Sequence, residues 1–115
     1  MLKTTKINNI IVVSFDGLSR LNAVVAEPLK EELKALFHQP NVRMIINLEG
    51  VKYIDSTGFS IFISLKKTAT SMGGQLKLCN LAPEVMHLFE MLQLNYVFQI
   101  YSSLDECIKS FDAKE

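Results

Sequence analysis

The run Met44-Ile45-Ile46-Asn47-Leu48 puts four apolar side chains into five positions with no polar alternation. Successive residues of a strand point to opposite faces, so a strand that is apolar at both parities is buried on both. That is the habit of a parallel sheet covered by helices. The segments on either side fit the requirement. Ala26, Leu29, Leu33, Leu36 and Phe37 recur at helical spacing before the strand, with Lys30, Glu31, Glu32 and Lys34 opposite them. Gly58, Ile61, Phe62, Leu65, Ala69 and Met72 form a second apolar arc after it.

The rest of the chain continues the alternation. Leu2 to Ile7 and Ile10 to Phe15, split by Asn8-Asn9, read as a hairpin, and Asp16-Gly17 closes it with turn chemistry. Pro28 belongs in a first helical turn, which starts the first helix between Asn22 and Glu27. Glu49 to Ile54 reads as a connection, and Gly73-Gly74 stops the second helix near Met72. Gln75 to Leu81 is a strand. Pro83 opens a helix striped by Val85, Leu88, Phe89 and Leu92. Tyr96 to Tyr101 is the last strand, and Ser103 with Glu106 is a capping-box signature before the stripe Leu104, Cys107, Ile108, Phe111. Asp112 to Glu115 is expected to fray. The expected order is β-β-α-β-α-β-α-β-α, an α/β domain spanning residues 1–115 with a single mixed, mainly parallel sheet and helices packed on it.

Twelve basic and twelve acidic residues cancel, so no long-range field favours nucleic acid or an anionic membrane. No stretch approaches the roughly 18 apolar residues of a membrane span, and Met1 to Asn9 lacks the apolar core of a signal peptide. The expectation is a cytoplasmic protein with no direct membrane insertion. Cys79 and Cys107 have no metal-ligand spacing and read as buried apolar positions. Neither a metal nor a cofactor is expected. His38 suits the C-terminal end of the first helix, and His87, beside Glu84 and Glu90, reads as solvated.

The informative segment is Asp55-Ser56-Thr57-Gly58, where strand-like sequence passes into a helix start. Each of the first three residues is a natural N-cap, because its oxygen can accept from an orphan N–H of the first turn. The same geometry welcomes a phosphate, since free N–H groups and the positive end of the helix dipole meet there. Phosphate on Ser56 would add a charge of about −1.5 to −2 with little cost to the fold, and its effect would fall on a docking partner. Phe59 and Ile63 fall outside the apolar arc, on the flank shared with Lys66 and Thr70. They form a docking surface or pack against the helix of Ala26 to Phe37. A hydrolase reading fails, because the segment is not a G-x-S-x-G elbow and nothing supplies a histidine base with its orienting group.

The stretch from Met44 to Phe59, an apolar strand, a Gly50-Val51 turn and then Asp55-Ser56-Thr57-Gly58-Phe59, resembles the signature of the STAS family. Leu78-Cys79-Asn80-Leu81-Ala82-Pro83-Glu84-Val85 is similar to that family's later strand, loop and helix, and the element order matches along the whole chain. The resemblance implies the STAS fold and a stand-alone anti-sigma factor antagonist, not an enzyme. It implies that Ser56 is phosphorylated by an anti-sigma factor that is a GHKL-type serine kinase, and dephosphorylated by a PP2C-type phosphatase. The unphosphorylated form would bind the kinase and release a sigma factor, a partner switch in transcription regulation. Thr57 is the alternative acceptor, and Asp55 orients the serine. Asn22 sits where the family often carries an aspartate lining the same surface, so the implied partner-binding set is Asn22, Asp55, Ser56, Thr57, Gly58, Phe59 and Ile63. Asn47 and Asn22 both depart from aspartates common in the family, which leaves the site less acidic. The alternative is a STAS scaffold subunit of a lipid-transport ABC complex or a stressosome-like assembly.

Overall fold

The computed structural model describes residues 2–112. β1 (Leu2–Ile7) and β2 (Ile10–Phe15) pair antiparallel, with Ile7 opposite Ile10 and Leu2 opposite Phe15. Asn8 and Asn9 make the two-residue turn at φ of 52° and 65°. Both lie in the left-handed region, which a type I′ hairpin turn requires and asparagine tolerates. There follow β3 (Arg20–Leu21), α1 (Ala23–Ala35), β4 (Arg43–Asn47), β5 (Tyr53–Ile54) and α2 (Ser56–Ser71). β6 (Gln75–Cys79), α3 (Pro83–Met91), a 3-10 turn at Leu94–Tyr96, β7 (Gln99–Tyr101) and α4 (Leu104–Asp112) complete the described chain.

The main sheet has the order β1-β2-β4-β6-β7, with β2, β4, β6 and β7 parallel and β1 antiparallel at one edge. The mixed, mainly parallel sheet expected from the sequence is therefore present. It is not the only sheet: Arg20–Leu21 and Tyr53–Ile54 form a separate parallel pair in which Arg20 faces Tyr53 and Leu21 faces Ile54. Two-residue strands carry too little pattern to be read from sequence, so the stretch before Asp55 looked like plain connection.

Burial divides by side-chain parity, as the apolar run demanded. Met44 and Ile46 of β4 join Val13, Leu76 and Leu78 in the larger core beneath α1, α2 and α3. Ile45, between them, points to the other face with Ile10, Val12, Cys79 and Cys107, and α4 covers that face through Leu104, Ile108 and Phe111. Both cysteines are buried, as expected.

Several boundaries differ from expectation. Pro28 is the sixth residue of α1, not part of its first turn; its ring lies on the exposed face and only one intrahelical donor is forfeited. The last strand begins at Gln99 because Leu94–Tyr96 tighten into the 3-10 turn, which Gln93 enters at φ 58°. Leu92 is exposed, since α3 ends at Met91 before its stripe returns to the core. α4 starts as the sequence indicated. The Ser103 hydroxyl accepts from the Glu106 N–H at 3.1 Å, while the Glu106 carboxylate turns to the Ser102 hydroxyl. Of the tail expected to fray, Asp112 ends α4 and residues 113–115 lie outside the described residues. Among the described residues no helix is long and apolar enough to cross a membrane.

Candidate functional site

Two helices begin side by side, and the small β3–β5 sheet holds their starts together. The Asp55 N–H donates to the Leu21 carbonyl at 3.2 Å, one residue before α1's cap and at α2's cap. Asn22 caps α1, its Oδ1 accepting from the Val24 N–H at 3.0 Å. Asp55 caps α2, its Oδ1 accepting from the Gly58 N–H at 2.8 Å while its carbonyl accepts from the Phe59 N–H at 2.9 Å. The carboxylate expected to orient the serine is thus turned inward, half-buried, onto the backbone. Ser56 and Thr57 occupy the first two positions of α2, and both are exposed.

Gly58 explains how the two starts come so close. A Cβ there would sit 2.2 Å from the Leu21 carbonyl oxygen and 2.9 Å from the Ile54 side chain. Glycine at this position therefore serves backbone approach, not a surface contact. Neither helix has an acidic residue in its first turn, so within these two helix starts the Asp55 cap is the one negative group facing the positive dipole ends.

Of the two apolar residues expected on the outer flank, one is there. Ile63 is 40% exposed. Seven residues beyond Ser56, it lies two turns along the same helical stripe, about 10 Å away. Phe59 is only 4% exposed, which corrects the expectation that it faces outward. At 100° per residue it lies between Phe62 and Ile63 on the helix, and its ring is long enough to reach inward. Its ring meets Phe89 of α3 edge-on at 5.1 Å between ring centroids.

Sequence reasoning missed two exposed neighbours of this surface. Val24, in the first turn of α1, is exposed, and Tyr53 of β5 is exposed with the Arg20 guanidinium over its ring at 5.6 Å. A signal existed for each: Val24 lies 200° from Ala26 on the helix, and Tyr53 alternates with buried Ile54. Asn47, where the family often has an aspartate, accepts from the Glu49 N–H at 3.0 Å and the Asn80 amide at 3.1 Å, tying the ends of β4 and β6 together.

Among the described residues no side chain hydrogen-bonds to Ser56. His38 follows α1 with Nδ1 3.2 Å from the Leu36 carbonyl, and the Asn41 N–H donates to Met72 at the far end of α2. A 16-residue helix is about 24 Å long, which puts His38 that far from the serine. His87 is exposed on α3, as expected. Among the described residues no cluster of metal-ligating side chains occurs.

Comparison with known proteins agrees with this geometry. An anti-sigma-B factor antagonist of Bacillus subtilis is 34% identical over 92 residues, 80% of this chain and 82% of that protein. The solved anti-sigma-factor antagonist (STAS) domain protein from Planctomyces limnophilus superposes with a TM-score of 0.90 over 97% of this chain and 98% of its own, at 21% identity. The Bacillus cell fate determinant SpoIIAA, solved in its phosphorylated form, superposes at 0.71 over 96% of this chain and 99% of its own, at 18% identity. Members of this group are binding modules without catalytic activity. The STAS domain family matches residues 1–107, and with the fold and the capped Asp55-Ser56-Thr57-Gly58 start in place, the chain belongs to that family.

Proposed function

We propose that this chain is an anti-sigma factor antagonist that binds an anti-sigma factor through the surface around Ser56 and is switched off by phosphate on that serine. The observation that carries the reading is the exposure of Ser56 in the first turn of α2, with Asp55 already satisfying the cap beneath it. A phosphate there meets the positive end of a helix and open solvent, so the domain keeps its fold while the surface gains a charge of about −1.5 to −2. A partner docked across Asn22, Val24, Thr57 and Ile63 would have to bury that charge or repel it, and either outcome ends the complex. The name of the Bacillus subtilis relative and the phosphorylated form of SpoIIAA support the reading. The partner is then an anti-sigma factor that is also a GHKL-type serine kinase, opposed by a PP2C-type phosphatase. Thr57 is the alternative acceptor.

Intact mass with site mapping on protein from its native cell, joined to capture of the anti-sigma factor by wild type, S56A and S56D, tests this. Phosphate on Ser56, retained capture by S56A and lost capture by S56D are expected. Equal capture by S56D and wild type, or a phosphate that maps outside Ser56 and Thr57, would overturn it.

A further inference from the structure

Lys77 is the one residue among the described chain that is both charged and buried, at 8% exposure, in the middle of β6. Among the described residues its ammonium contacts neutral groups. The ammonium donates to the Ser110 hydroxyl at 2.8 Å and lies over the Phe111 ring at 4.2 Å and the Tyr101 ring at 5.6 Å. The Ser110 hydroxyl donates to the Cys107 carbonyl at 2.6 Å, so its oxygen lone pairs are left to accept from the lysine. An ammonium has three N–H donors, and one hydroxyl satisfies one of them. A buried cation is retained where an anion completes it.

The space for that anion adjoins the lysine. A cavity of about 270 Å³ opens among Lys66, Gln75, Lys77, Gln99, Ser110 and Phe111, at the ends of β6 and β7 remote from Ser56. Its polar lining side chains are those of Lys66, Lys77, Gln75, Gln99 and Ser110, and among the described residues no carboxylate lines it. The Arg43 guanidinium lies over Phe111 at 5.8 Å, and a neighbouring depression, lined by Lys6, His38 and Arg43, is likewise without a carboxylate. Lys66, Lys77, Lys6 and Arg43 thus line two neighbouring depressions at one end of the sheet.

We propose that this cavity binds a small phosphate-class oxyanion, held by the Lys66 and Lys77 ammonium groups with Gln75 and Gln99 as further donors. Two ammonium groups match the charge of about −1.5 to −2 on a phosphate near neutral pH. The volume lies below the roughly 300–1,000 Å³ of sites for drug-sized ligands, which fits a small ion or a single phosphoryl group. The inference stands apart from the reading of Ser56, because Lys66, the cavity's one residue on α2, lies about 15 Å along the helix from that serine.

Titration of the full chain with inorganic phosphate at constant ionic strength, followed by amide NMR, decides the matter. Saturating shifts at Gln75, Lys77, Gln99 and Ser110 are expected, with Ser56 and Thr57 unmoved. K66Q, on a half-buried site that tolerates the change, should weaken binding about tenfold, and K77M, which keeps the stem's packing, should abolish it. A phosphomonoester in place of phosphate distinguishes a phosphoryl group on a larger ligand from the free ion, since only the former gains affinity. Shifts that fail to saturate, that persist unchanged in K66Q and K77M, or that centre on the start of α2 would overturn the site.

Discussion

The Leu21 carbonyl oxygen lies where a side chain on Gly58 would have to go: an added Cβ would stand 2.2 Å from it. The same carbonyl accepts from the Asp55 N–H at 3.2 Å, so the contact that excludes a side chain also ties β3 to the mouth of α2. G58A must therefore push the first turn of α2 away from β3, since neither backbone can yield without breaking a pair. Overpacking of this kind costs about 1–3 kcal/mol. The urea midpoint of G58A should fall, and amide shifts should change at Leu21 and Asn22 as well as along Ser56 to Phe59. A midpoint equal to wild type would show that the two helix starts are not held together by this approach.

Asp55 is the N-cap of α2, and its side chain satisfies the Gly58 N–H. Replacing it with alanine leaves that donor without its partner and costs about 1 kcal/mol. D55N keeps an accepting oxygen and should recover most of the loss. Thermal unfolding of the pair distinguishes the cap from a purely electrostatic role, in which D55N would be as destabilised as D55A.

The apolar run of β4 and the parity of its side chains carried most of the architecture, because a strand buried on both faces leaves few options for its neighbours. The start of α2 was legible for a similar reason: Asp, Ser and Thr ahead of Gly58 are cap chemistry that owes nothing to the rest of the fold. What the sequence withheld depends on distant contacts. Tyr53–Ile54 and Arg20–Leu21 are strands only because each finds the other across more than thirty residues. Phe59 is buried with Phe89, thirty positions on, alongside its ring. Nothing in the strand sequence around Lys77 marks it out, and the packing of α4 through Ser110 and Phe111 makes it a buried cation.

Cys79 and Cys107 lie together beneath α4, both fully buried. The Cys107 thiol reaches the Leu78 carbonyl at 3.9 Å. Contact with Cys107 and burial both push the Cys79 thiol above its ordinary range, while the same contact holds the Cys107 thiol below its own; of the pair it is Cys79 that keeps, in the folded chain, a proton the unfolded chain releases near pH 8.5. A raised folded value means stability that is present below the unfolded value and is lost as pH rises past it. The urea midpoint should accordingly hold from pH 7 to 8 and decline above pH 9, and C79A should flatten part of that decline. In the native protein at pH 8 a thiol reagent should modify neither cysteine, while two modifications should follow unfolding. Rapid labelling of the native chain would mean that α4 does not seal this face.

Phe59 and Ile63 stand one turn apart on α2 and make opposite demands. Phe59 meets Phe89 at 5.1 Å, and Phe89 meets Phe62 and Phe98 at 5.9 and 6.0 Å, so the three contacts form one aromatic cluster linking α2, α3 and the approach to β7. F59A opens a cavity in that cluster and should cost about 3–5 kcal/mol, a loss large enough to unfold much of the population at 37 °C. Ile63, 40% exposed on the Ser56 stripe, has little packing to lose, and I63A should stay within about 0.5 kcal/mol of wild type. Its effect should appear in binding instead, as a lower affinity for the anti-sigma factor with unchanged urea midpoint. An I63A protein as unstable as F59A would place Ile63 in the core, and one with undiminished affinity would remove this stripe of α2 from the docking surface.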